Sequence, residues 1–165
     1  LLLIAGHETT INLIGNGSLA LLKNRQQWDL LAANPTLAEG AVEELLRYDS
    51  PVQLTGRVVK ESFSYQGHSF QAGQQVSFLL GSGNRDAAQF EDPDRLDITR
   101  NSKSHLSFGG GIHFCLGAQL ARIEAAVVFE TVARRLPTLR LVKLDQPKWR
   151  SSFTLRGLTE LSVAW

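Results

Sequence analysis

Apolar residues recur at near-helical spacing from Leu1 to about Ala33: Leu3, Ile4, Ile11, Ile14, Leu19, Leu22 and Leu30. That is one stripe of a 3.6-residue repeat. Gly15 and Gly17 weaken it, and the polar stretch Lys23–Arg25 predicts a break or a second helix. After Pro35, the run Thr36-Leu37-Ala38-Glu39 has the form of a capping box. It predicts a helix through Glu43, Glu44, Leu45, Leu46 and Arg47, stopped by Asp49-Ser50-Pro51. From Arg57 to Leu80 the pattern changes to β: Val58 and Val59, then Phe63 and Tyr65 before a turn at Gln66-Gly67, then Val76, Phe78 and Leu80. Residues 81–114 are rich in Gly, Asp, Asn and Ser and read mostly as loop. A loop of that length in a packed domain is usually functional. A helix is predicted from about Cys115 to Leu136, followed by short strands at Leu139–Leu144 and Leu161–Trp165. The predicted class is mainly α with small β-sheets, without internal repeats.

Composition narrows the picture. At 165 residues, one domain is expected over 1–165. The balance of 17 Lys+Arg against 16 Asp+Glu gives no reason to expect nucleic acid or an anionic membrane as partner. One cysteine, Cys115, excludes a disulfide scaffold and suits a reducing, cytoplasmic setting. No stretch approaches the ~20 apolar residues that span a bilayer. The chain opens inside a helical pattern without a cap and holds no Met. The expectation is therefore a part of a longer protein.

The segment Phe108-Gly109-Gly110-Gly111-Ile112-His113-Phe114-Cys115-Leu116-Gly117 carries the most chemistry. Consecutive glycines adopt backbone conformations closed to other residues and let the main chain approach a flat object. A cysteine at the entrance of a helix is favoured as thiolate, and loop N–H groups can tune it. Gly117 removes a side chain where a planar ligand could lie, and Phe108 can shield the sulfur. Three other readings stand beside this one. A buried inert thiol is the commonest fate of a lone cysteine. A phosphate loop lacks its Gly-x-Gly-x-x-Gly or Gly-Lys-Ser/Thr form. A catalytic nucleophile needs a base such as His113 and an orienting group.

The run Phe108-x-x-Gly111-x-x-x-Cys115-x-Gly117 resembles the haem-binding signature of the cytochrome P-450 haem-thiolate monooxygenases. Gly111-x-His113 and Leu120-Ala121-Arg122 resemble its soluble bacterial branch. Glu44-Leu45-Leu46-Arg47 is similar to the family's Glu-x-x-Arg helix, otherwise a trivial surface pair. Pro93-Asp94-Arg95-Leu96 is similar to its Pro-x-Arg element, with Leu96 where an aromatic is commoner. The resemblance implies that Glu44 and Arg47 are buried, and that Arg47 is shared with the loop carrying Arg95. Ala5-Gly6-His7-Glu8-Thr9-Thr10 resembles the oxygen-activation motif, in the expected order along the chain.

The resemblance implies the C-terminal portion of the cytochrome P-450 fold, an orthogonal helix bundle. It implies haem b (iron protoporphyrin IX) as cofactor and Cys115 as the iron ligand. Gly6, Phe108, Gly111 and Gly117 would border the haem, and Arg57 and His113 would meet its carboxylates. Glu8 would relay protons as a general acid, and Thr9 would hold dioxygen and an ordered water. A hydroxyl bonding back to the helix can also widen the turn there. The expected partners are a small apolar organic substrate, O2 and a ferredoxin or similar electron donor, with Arg100, Lys103 and Arg122 as candidate docking charges. Substrate-facing positions would be Ile4 and Ala5, Val52 to Thr55, and Phe153 to Leu155. His105 matches a common family position or is a surface loop residue. The acid–alcohol pair favours oxygen-dependent over peroxide-driven chemistry. Two other classes remain: a truncated, haem-free fragment without activity, and a cysteine hydrolase.

Overall fold

The structure, a computed structural model, describes residues 2–142 and 147–165. The long apolar stripe divides where it turns polar. Helices α1 (Leu2–Lys23) and α2 (Arg25–Ala33) meet at Asn24, whose Nδ2 donates back to the Ala20 carbonyl at 2.8 Å. Neither glycine interrupts α1. Gly17 instead permits a close crossing, since a Cβ there would lie 2.8 Å from Cζ of Phe129 and 3.0 Å from Cδ1 of Leu45. Those two residues come from α5 (Ala118–Arg135) and α3 (Ala38–Tyr48), the helices that close the core over α1. Leu13, Leu21, Trp28, Leu31, Val42, Leu45 and Phe129 form its centre.

The capping box does not form. Residues Pro35–Leu37 make a single 3-10 turn, Thr36 Oγ1 donates to Asn34 Oδ1 at 2.6 Å, and no side chain caps α3. Proline at the first helical position starts the turn early and leaves Thr36 inside it. The end of α3 is as expected, at Asp49 before Pro51.

Strands β1 (Leu54–Val58) and β4 (Gln75–Leu79) pair antiparallel, Leu54 opposite Leu79 and Val58 opposite Gln75. Between them β2 (Phe63–Tyr65) and β3 (His68–Phe70) form a hairpin around Gln66-Gly67, both at positive φ. β1 begins before the expected Arg57, because Gly56 hides the alternation of Leu54 and Thr55. Leu80 leaves the sheet and opens the one-turn α4 (Leu80–Gly83), where it is buried. Near the end, β5 (Arg140–Leu141) pairs with β6 (Val163–Ala164). The expected strand positions Lys143 and Leu144 lie outside the described residues.

α5 begins at Ala118, with Gly117 as its N-cap, so Cys115 precedes the helix rather than opening it. Residues 84–110 contain no regular element, yet Asn84, Phe90, Leu96, Ile98, Ser102, His105 and Ser107 are buried. Backbone in such a segment must find its partners elsewhere, and many are on α3.

Candidate functional site

The inward side of α3 carries charge. Glu44 and Arg47 have fully buried side chains. Arg47 Nε and Nη2 donate to Glu44 Oε2 and Oε1 at 2.8 and 2.9 Å. Arg47 Nη1 donates to the carbonyls of Asn84 (2.9 Å) and Pro93 (2.8 Å), and Nη2 reaches that of Arg95 (3.3 Å). Arg47 is thus shared with the loop carrying Arg95, as expected. Glu44 also accepts from Asp97 N–H (3.0 Å), Ser102 Oγ (2.5 Å) and Arg100 Nε (3.3 Å). A buried ion pair is tolerable only when satisfied in this way.

The cation that joins this pair from downstream is Arg100. The Arg95 side chain turns outward to Asp97 Oδ2 at 3.0 Å. Turns closed by Arg95 N–H to Asp92 O and Arg100 N–H to Asp97 O fold the segment back, so the residue five positions later reaches α3. Arg100 and Arg122, expected as docking charges, are both engaged inward; only Lys103 of the three is exposed. Proximity in sequence gave no signal for Arg100 or Ser102.

Glu43, the neighbour of Glu44, grips a different segment. Its carboxylate accepts from Arg122 Nε (2.5 Å) and Nη2 (3.1 Å), and from His105 Nε2 (3.2 Å). His105 Nδ1 accepts the Ser107 N–H at 3.1 Å, which assigns the proton to Nε2. Burial pushes the Glu43 carboxyl up, but the bonds from His105 and Arg122 outweigh it and hold the pKa at about 2. His105 is therefore a buried partner rather than a loop surface residue.

Above this cluster lies the cysteine loop. Cys115 N–H donates to the Phe108 carbonyl at 2.9 Å, Phe114 N–H to Gly111 O at 3.1 Å and Gly109 N–H to Leu106 O at 2.8 Å. Gly109 (φ +68°) and Gly111 (φ +62°) occupy the left-handed region, where glycine is favoured. A Cβ at Gly110, Gly111 or Gly117 would meet nothing within 4 Å. The Phe108 ring meets Phe114 edge-on at 6.2 Å between centroids, and the Arg122 guanidinium lies 4.6 Å over it. Cys115 itself is exposed and is not buried by any described part of this chain. Ile112 (97 % exposed) and Leu116 (89 %) flank it, with Phe114, Leu120, Ile123 and Val127 also exposed. A contiguous apolar surface of this kind marks a place where something else sits.

In α1, Thr9 Oγ1 donates back to the Ala5 carbonyl at 2.6 Å, as expected, and nothing lies within 4 Å of a Cβ on Gly6. Glu8 Oε1 pairs with Arg150 Nη1 at 2.9 Å, a partner with no sequence signal. The two border an open cavity of about 400 Å³ with Leu3, Ile4, His7 and Ile11. Among the described residues, no hydrogen bond or ion pair joins this turn to the cysteine loop. Arg57 Nη1 bonds only Thr55 Oγ1 (3.1 Å) and Gly56 O (2.7 Å), and His113 is exposed in a 3-10 turn. Neither has an ion-pair partner among the described residues. The segments 52–55 and 153–155 come together, with Val52 bridging Leu155 and Gln53 N–H donating to Thr154 O at 2.8 Å. No helix among the described residues is long and apolar enough to cross a membrane.

Comparison with known proteins agrees with this geometry. A family model, cytochrome P-450, matches residues 20–152. The vitamin D(3) 25-hydroxylase of Pseudonocardia autotrophica is 52% identical, over 99% of this chain and 41% of its own length. The polyketide biosynthesis cytochrome P-450 PksS of Bacillus subtilis is 46% identical, over 99% of this chain and 41% of its own length. Among solved structures, cytochrome P-450BioI in complex with a hexadec-9Z-enoic acid ligated acyl carrier protein superposes with a TM-score of 0.94 at 48% identity. That match covers 98% of this chain and 42% of the other. The chain spans about two fifths of the length of the relatives it matches.

Proposed function

The chain belongs to the cytochrome P-450 family, and from that premise we propose that it supplies the thiolate side of a haem-dependent monooxygenase. The reaction inserts one atom of O2 into an apolar organic substrate. One observation carries the reading: an exposed sulfur on a glycine loop, held by Phe108 from beneath and rimmed by uncovered apolar side chains. The residues fit haem b. A single soft donor suits a metal that arrives with its other ligands already in a macrocycle. Gly110, Gly111 and Gly117 leave the loop face open to a flat ring. Arg57 and His113, with no acidic partner among the described residues, suit its two carboxylates.

When bound, the haem supplies the electron transfer and oxygen chemistry. Cys115 holds the iron, and Phe108 keeps water from the sulfur. Gly6 leaves space beside α1. The Thr9 hydroxyl, whose proton is directed at Ala5 O, presents its lone pairs outward and can accept from an ordered water. Glu8 passes protons toward that water. Its carboxylate is paired with Arg150, so it must swing from Arg150 to reach that water. Electrons come from a ferredoxin or similar carrier, with Lys103 available at the surface. The substrate class is apolar, in keeping with the polyketide, vitamin D(3) and hexadec-9Z-enoic acid that appear in the names of similar proteins.

The test is spectroscopic. The reduced protein treated with carbon monoxide is expected to show the strongly red-shifted Soret band of a thiolate-ligated haem, lost in Cys115→Ala. A protein without pigment points to the haem-free fragment. Thr9→Ala is expected to raise peroxide release at the expense of product; unchanged coupling would remove Thr9 from the proton path.

A further inference from the structure

Adjacent residues on a helix point about 100° apart, so Glu43 and Glu44 serve different segments. Glu44 binds residues 97–102. Glu43 holds His105 and Arg122, which lie on either side of the cysteine loop. From Arg122 the path continues to the Phe108 ring 4.6 Å away. From His105 it continues to the same ring, 5.7 Å between centroids, and to the Ser107 N–H beside it. Ser107 Oγ is itself fixed, donating to Leu46 O at 2.7 Å and accepting from Asn84 Nδ2 at 2.8 Å. Phe108 then offers its carbonyl to Cys115 N–H.

We propose that Glu43 is a positioning residue for Cys115: through Arg122 and His105 it fixes the ring and backbone of Phe108, and so the placement and hydrogen bonding of the sulfur. Glu43 touches neither substrate nor haem in this scheme. The planar Arg122 guanidinium is held twice, by its Nε and Nη2 bonds to the carboxylate and by the Phe108 ring 4.6 Å away. Arg122 is suited to this because its fork is bidentate and its face stacks; lysine offers neither.

The inference rests on Cys115 being the haem ligand, and the experiment separates the two. Glu43→Gln, Arg122→Lys and the double variant are prepared as haem-loaded protein beside the parent. Three quantities are read: the ratio of thiol-type to thiolate-type carbonyl complex, the iron reduction potential, and the melting temperature. Each single variant is expected to raise the thiol-type ratio about three- to tenfold, less than the full loss of a charge-assisted hydrogen bond because the effect reaches the sulfur only through Phe108, and to move the potential. The double variant is expected to do little more than either single one, because the residues act as a unit. A parent without the thiolate-type band overturns the ligand assignment itself. A parent with that band, and variants that melt earlier while keeping its ratio and potential, overturn the positioning role. Should Glu43→Gln fail to fold, Arg122→Lys keeps the charge and decides the matter by the same ratio.

Discussion

The two sides of the cysteine loop are built on opposite terms. Beneath it, α3 and residues 84–107 form a closed polar network in which Glu43, Glu44 and Arg47 all find partners inside the chain. On its other side the loop offers glycines with empty space and exposed Ile112 and Leu116, and the first turn of α1 likewise leaves Leu3 and Ile4 exposed. The polar side is self-sufficient, whereas the apolar side is complete only with something against it. A buried carboxylate tolerates no missing partner, but an exposed leucine waits at small cost. Precision is thereby confined to the side that fixes the cysteine loop, and openness to the side that is left uncovered.

Breaking the closed side should cost most. Glu44→Ala strands Arg47 and is expected to destabilise by about 3–5 kcal/mol, read by denaturant unfolding and by haem retention; a protein of parental stability would refute the buried network. Acid attacks the same side. The Glu43 carboxyl sits at about 2 in the fold against an ordinary 4.5, so the folded state binds fewer protons than the unfolded one between those values. Stability should be intact above about pH 4.5 and fall toward pH 2, by at most about 3 kcal/mol. In Glu43→Gln that part of the acid sensitivity should vanish. Gly17→Ala tests the crossing that sets both sides in register. Its Cβ would press on Phe129 and Leu45, and a loss of about 1–3 kcal/mol is expected in thermal unfolding of the apoprotein. Cys115→Ala should be the mildest for the apoprotein, within about 0.5 kcal/mol, because the sulfur is exposed; a large loss would mean that the open side is structural after all.

Much of this was legible in the sequence. The apolar stripe, the Gln66-Gly67 hairpin and the Asp49-Ser50-Pro51 stop are local signals, and local signals survive folding. The glycine loop around Cys115 was visible in its residue types and spacing, whereas the burial of the Glu44–Arg47 pair was visible only through the family resemblance, since spacing alone reads as a surface pair. The capping box failed because one proline outranked it, and the α5 start was misjudged because Gly117 takes the cap.

What only the tertiary structure decided is who meets whom across long stretches of chain. Arg100 rather than Arg95 reaches Glu44, Arg122 turns inward to Glu43, and Arg150 finds Glu8. A charged side chain written in a sequence reads the same whether it is solvated or buried. Its partner is set by where the packing of α1, α3 and α5 brings the loops, since burying a charge is tolerable only beside an opposite one. The sequence determined which side chains carry charge; the fold determined which of them face one another.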